Sequence, residues 1–129
     1  MSNSNDFPGL SRIGQIFINV HDLARAVTFY RDSLGMKFLF EVPRMAFFDC
    51  GGVRLMLGLA DRPEFDHPAS ILYYRVDDIE ASHAALVSRG VVFSAKPHVV
   101  ARMPTFTLWL AEFRDSEENN LALMSEVPA

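Results

Sequence analysis

The chain has 129 residues, 50% of them apolar and 22% charged, with a net charge of -4, so one domain with a real core fits and a second independent one does not. That composition, with apolar runs only a few residues long, argues against disorder, a coiled coil or a bilayer span. Twelve scattered Lys and Arg give no electrostatic footprint for nucleic acid, and the lone Cys50 allows no internal disulfide.

Residues 1–10, MSNSNDFPGL, read as a loose polar arm without the basic flank and apolar stretch of a secretory signal, so a cytoplasmic protein is the expectation. From Ile13, the side chains Gln15, Phe17 and Asn19 alternate with Ile16, Ile18 and Val20, which predicts a strand with an apolar back. Asp22 is placed to cap a helix whose buried stripe is Ala26, Val27, Tyr30 and Leu34, and Gly35 stops it. Three extended segments follow, Lys37 to Val42, Met45 to Cys50 and Val53 to Leu59, with turns at Pro43-Arg44 and Cys50-Gly51-Gly52.

Residues 60–69 are polar and contain Pro63 and Pro68, which reads as a linker. The same grammar then restarts: a strand from Ser70 to Val76, a cap at Asp77-Asp78, a helix from Ile79 to Arg89 with Ile79, Ala81, Leu86 and Val87 as its apolar stripe, and Gly90 as its stop. Val91 to Ser94, Thr105 to Phe113 and Asn120 to Met124 are the expected strands of this half, and the connection 95–104 is longer than its counterpart. Val20, Asp22 and Leu23 match Val76, Asp78 and Ile79 at an offset of 56, and Gly35 and Phe38 match Gly90 and Phe93 at 55. The repeat predicts an α+β fold of two tandem units, module one about 12–59 and module two about 70–126, within a single domain spanning 1–129. A ferredoxin-like sandwich would need two strands after the first helix, and three are visible.

In order along the chain stand Val20-His21-Asp22-Leu23, Phe29-Tyr30, Leu34-Gly35-Met36, Val76-Asp77-Asp78-Ile79 and Phe113-Arg114-Asp115-Ser116-Glu117-Glu118-Asn119. With these motifs the sequence resembles the vicinal oxygen chelate superfamily of glyoxalases, bleomycin-resistance proteins and extradiol dioxygenases. The last motif is similar to the family's Phe-x-Asp-Pro-Asp-Gly-Asn turn, with Ser116 in place of Pro and Glu118 in place of Gly. The resemblance covers roughly residues 12 to 125. It implies two βαβββ modules forming a half-open curved sheet around a cavity, and a homodimer. It also implies four inward metal ligands, which fall on Gln15, Met56, Ile71 and Ala122. Only Gln15 carries a donor suited to a hard or borderline divalent ion, so no metal and no other cofactor is expected.

Strand alternation on the resemblance's ligand face gives Gln15, Phe17, Met56, Arg75 and Ala122 as ligand-binding candidates, with Tyr73 beside them. Inward Phe and Met are equally consistent with plain core. His98, with Arg102 four residues on in the long connection, is the candidate base, and Tyr73 a second proton carrier; an anionic group would meet Arg75 or Arg102. Trp109 and Glu112 lie on opposite faces of one strand, one able to stack on a ring and the other to attract a cation, with structural roles open to both. His21 and His67 read as solvated, and His83 as lying on a polar helix face. The expected partners are a small organic molecule and a second copy of the chain, with no nucleic acid and no membrane. Two functions stay open: a protein that binds or sequesters a small organic ligand without metal, or a metal-independent lyase or isomerase.

Overall fold

Local signals set the first half of the chain, and the computed structural model, which describes residues 7–129, places them in space. Most of the arm expected at 1–10 lies outside the described residues. Strand β1 (Gln15–Asn19) leads to helix α1 (Leu23–Thr28), which runs on into a wider π-helical turn at Phe29–Ser33. Asp22 caps α1 by accepting the Arg25 amide at 3.0 Å, and Gly35 takes the left-handed conformation that ends the helical run, with φ +69°. Strands β2 (Lys37–Val42), β3 (Met45–Cys50) and β4 (Val53–Gly58) then form an antiparallel meander, and β4 closes on β1 in parallel.

Module two repeats this plan. It comprises β5 (Leu72–Arg75), α2 (Ile79–Ser88), β6 (His98–Arg102), β7 (Phe106–Arg114) and β8 (Asn120–Pro128). Asp78 caps α2 through the Ala81 amide at 3.0 Å, as Asp22 does in module one. The sheet orders are β1-β4-β3-β2 and β5-β8-β7-β6, the same arrangement twice. The linker carries one short 3₁₀ turn, Pro63–Phe65.

Four expectations need correction. The segment Val91 to Ser94 is not a strand: it makes an isolated bridge from Phe93 to Phe113, and the Ser94 amide donates to the Glu112 carbonyl. The edge strand of module two is β6, inside what reads from sequence as the loop 95–104. β8 continues four residues past Met124, because β7 is long enough to pair with it from Arg114↔Asn120 to Phe106↔Pro128. In α2, of the expected stripe only Ile79 is fully buried; Val87 is exposed and His83 packs edge-on against Phe93, with ring centroids 4.4 Å apart.

The two modules share one core. Ile18, Leu55, Leu57 and Phe48 from the back of the first sheet join Phe113, Leu121 and Leu123 from the back of the second, with Tyr30 and Ile79 from the helical segments between. Alternation then turns the opposite face of each sheet away from that core.

Candidate functional site

The outer face of module one is built in rows by strand register. Phe17 pairs with Met56, Met56 with Phe47 and Phe47 with Phe40, so one band across four strands is aromatic and thioether. Phe40 and Phe47 stack at 4.5 Å. Phe17 remains 39% exposed and its ring lies over Gly58, where an added Cβ would come within 2.8 Å of Phe Cε1. The next row is polar: the Gln15 side-chain oxygen accepts Arg54 Nε at 2.8 Å, and the Arg54 guanidinium sits 5.5 Å from the centre of the Phe47 ring.

A hollow of about 590 Å³ opens on this band, lined among others by Phe17, Met45, Met56, Leu59 and Phe65. Its outer wall is the linker, which sequence reading treats as a mere connector. The linker is tied down by Arg44, which donates to the Ala60 carbonyl at 3.1 Å, and by Asp66, which accepts Asn19 Nδ2 at 3.0 Å and pairs with His21 Nε2 at 2.7 Å. The expectation of a merely solvated His21 therefore misses a partner.

The outer face of module two has a different character. Tyr73, Ala122 and Glu112 stand side by side in one row, and Arg75, Met124, Leu110 and His98 in the next. His98 Nδ1 lies 2.8 Å from the Lys96 carbonyl, which can only accept, so the proton sits on Nδ1 and Nε2 carries the lone pair when the ring is neutral. That Nε2 faces Glu112 Oε1 at 3.6 Å, and this oxygen is shut off from solvent with no hydrogen bond of its own. Arg75 pairs with Glu126 at 3.2 Å, and Tyr73 is 52% exposed.

Two candidates leave the site. The extra residue Val100 sits at a register irregularity between Val99 and Ala101, so Arg102 pairs with Thr107 and emerges on the opposite face from His98. A regular strand would have put the two on one side. Trp109 is a partly buried member of the shared core rather than a ring-stacking platform. The structure thus groups Tyr73, Arg75, His98, Glu112 and Ala122 on one face and Gln15, Phe17 and Met56 on another.

The donor set does not fit the divalent ion of the resembling enzymes. The Gln15 oxygen is engaged by Arg54, its amide lies 3.9 Å from the Met56 sulfur, and Ile71 and Ala122 offer only hydrocarbon. Among the described residues, no three His, Cys, Asp or Glu side chains come together.

The motif Phe113–Asn119 is a structural joint between modules. Asp115 accepts Tyr30 Oη at 2.7 Å and the amides of Glu117 and Asn119 at 2.8 Å each. Glu117 reaches across to the start of α1, where Oε1 accepts the amides of His21 and Asp22 at 2.8 and 2.9 Å and Oε2 accepts Arg25 Nε at 2.7 Å. Burial pushes the Glu117 carboxyl up, but the bonds from Arg25, His21, Asp22 and Ser116 outweigh it and bring it down to about 2. The spacing of Glu117 from its turn is visible in sequence; its partner 92 positions upstream is not.

Residues 12–123 match the model of the glyoxalase/bleomycin resistance protein/dioxygenase superfamily. The chain belongs to this superfamily. Comparison with curated proteins found no match. Among solved structures, a glyoxalase/bleomycin resistance protein/dioxygenase from Nocardioides superposes with a TM-score of 0.75 at 20% identity, covering 96% of this chain and 89% of that one. A superfamily member from Sphaerobacter thermophilus gives 0.74 at 24% identity, covering 91% and 98%. A lactoylglutathione lyase from Agrobacterium tumefaciens gives 0.71 at 22%, covering 92% and 96%. At these identities the likeness establishes the superfamily's fold of paired βαβββ modules, not an activity. No helix is long and apolar enough to cross a membrane among the described residues.

Proposed function

We propose that this superfamily member binds a small, planar, largely apolar organic molecule on the outer face of β1–β4 without a metal ion. The observation that carries the reading is the band of Phe17, Met56, Phe47 and Phe40, whose Phe17 and Met56 line a hollow of about 590 Å³, a size and lining suited to a small ligand. Arg54, which lies by the Phe47 ring and bonds Gln15, supplies a directional polar group in the row beside the band. The outer face of module two, with Tyr73 and Ile71 half exposed, is a surface of the kind a second copy would cover, so a homodimer belongs to the proposal. Nucleic acid and membrane are not partners in this reading, and the single Cys50 suits a reducing, cytoplasmic setting.

The 3.6 Å pair of His98 and Glu112 favours a second reading, a metal-independent lyase or isomerase. In it His98 Nε2 removes a proton from bound substrate and Glu112 stabilises the imidazolium that forms. A panel of aromatic and heteroaromatic compounds, screened by NMR on purified protein, tests the binding reading. Phe17→Ser should weaken a hit at least tenfold while the fold survives, since the ring is part-exposed. Hits that leave the Phe17 and Met56 resonances unmoved would overturn it. The second reading needs a compound that shifts Tyr73 and Met124 on the outer face of module two: turnover by the parent that His98→Ala abolishes at unchanged affinity marks an enzyme, and no turnover by the parent refutes it.

A further inference from the structure

A second hollow, of about 270 Å³, lies between the modules on the side away from both outer faces. Module one contributes Leu34 and Met36, and module two contributes Tyr74, Phe113 and Leu123. Helix α2 borders it with Ser82, Ala85 and Leu86, and its C-cap residue Arg89 continues that stripe. The small side chains Ser82 and Ala85 are the reason the space exists, and they explain why α2 buries so little of itself. Ala85 and Arg89 are exposed, so the hollow is a groove open to solvent along α2 rather than an interior void.

Two polar features single the hollow out. Arg89 is the one charged residue lining it, and among the described residues it makes no ion pair and no side-chain hydrogen bond; its Nη1 lies 3.5 Å from where a Cβ on Gly35 would stand. The hydroxyl of Tyr74, on the opposite wall, is buried without a hydrogen-bond partner. Burial, with Cys50 and Asp115 nearby, pushes the Tyr74 phenol well up, so it stays a protonated donor.

We infer that this inter-module hollow is a second binding site, distinct from the outer face, for a small organic acid whose apolar body fills the space between α2 and Met36 and whose carboxylate pairs with Arg89. The limited volume selects a benzoate- or hexanoate-sized molecule over a peptide or a helix, and the unpaired guanidinium selects an anion over a neutral compound. The site is independent of the outer-face proposal.

The probes are sodium benzoate and sodium hexanoate, with benzyl alcohol and hexanol as neutral counterparts, followed through methyl resonances of Leu34, Leu86 and Leu123 and of Met36 and Met56. The acids should shift the first four and leave Met56 in place, and should bind about tenfold or more tightly than the alcohols, the difference a charged hydrogen-bonded pair makes. Arg89→Gln, a change at an exposed side chain, should erase that preference and leave alcohol binding as it was. Ala85→Leu should fill the hollow and abolish binding of both, with an unfolding midpoint at or above that of the parent showing that the chain still folds. Acids that shift only Met56, acids and alcohols binding alike, or an Arg89→Gln protein that keeps the preference would each overturn the inference.

Discussion

Glu117→Gln should destabilise the protein in a way whose pH dependence identifies the cause. In the folded chain the carboxylate is fully buried, holds two α1 amides and pairs with Arg25. Its pKa falls from 4.5 to about 2, a displacement of about 2.5 pH units, which at about 1.36 kcal/mol per unit corresponds to about 3 kcal/mol. The Arg25 side chain is 56% exposed, so solvent screening trims that to about 2–3 kcal/mol. Because the folded value is depressed, this stability is complete above the unfolded carboxyl's pKa and is lost as pH falls through about 2. At pH 3 roughly half of it remains. Urea unfolding followed by the fluorescence of Trp109 gives the measurement. At pH 7 the variant's midpoint should fall by about 1–2 M, and the gap to the parent should narrow steadily between pH 5 and pH 3. Equal midpoints at pH 7, or a gap that stays constant with pH, would refute the assignment of Glu117 as the charged clamp between modules.

Tyr30→Phe removes a 2.7 Å bond to buried Asp115 and should cost about 1.5–3 kcal/mol, read as a lowered thermal midpoint. Glu118 stands at φ +65° where the family turn has Gly, so Glu118→Gly should raise stability by about 0.5–1 kcal/mol; a loss would mean the Glu118 side chain is engaged. Gly58→Ala drives a Cβ to 2.8 Å from the part-exposed Phe17 ring. The ring can swing, so calorimetry should show a stability change under about 1 kcal/mol, while affinity for any outer-face ligand drops sharply. Titration with nickel, zinc, manganese or iron(II) should leave the unfolding midpoint unmoved, whereas binding to the folded state at 100 times Kd would add about 2.7 kcal/mol.

The repeated βαβββ plan was legible because its punctuation is local. Asp22, Asp78, Gly35 and Gly90 act through neighbours a few residues away, and strand alternation needs no knowledge of a partner. What failed was non-local. The stretch 95–104 reads as a connection, yet the edge of β7 offers free backbone groups that draw 98–102 into the sheet. The irregularity at Val100 then decides which way Arg102 points, and no pattern in 95–104 announces it. Trp109 alternates correctly with Glu112, but choosing which of the two faces the core needed the second sheet's packing. Glu117 showed itself as a motif position and hid its role, because its partners lie at the other end of the chain.

The loss of metal donors and the gain of an apolar floor are one structural fact. Met56 sits in register between Phe17 and Phe47, so the position that would carry a metal ligand is instead part of a continuous aromatic and thioether floor. Gln15, one position away, is oriented by Arg54, and a guanidinium there opposes a divalent ion by like charge. On the second sheet the mirrored position is Ala122, flanked by Tyr73 and Glu112. Its methyl leaves room between a phenol and a carboxylate without supplying a ligand. The two outer faces have therefore diverged in chemistry while keeping the same backbone, one toward stacking and the other toward acid, base and ion-pair groups. Since both modules spend their back faces on the shared core, side chains such as Phe17 and Phe40 on one outer face and Ile71 and Tyr73 on the other stay part-exposed and can serve a ligand or a second copy.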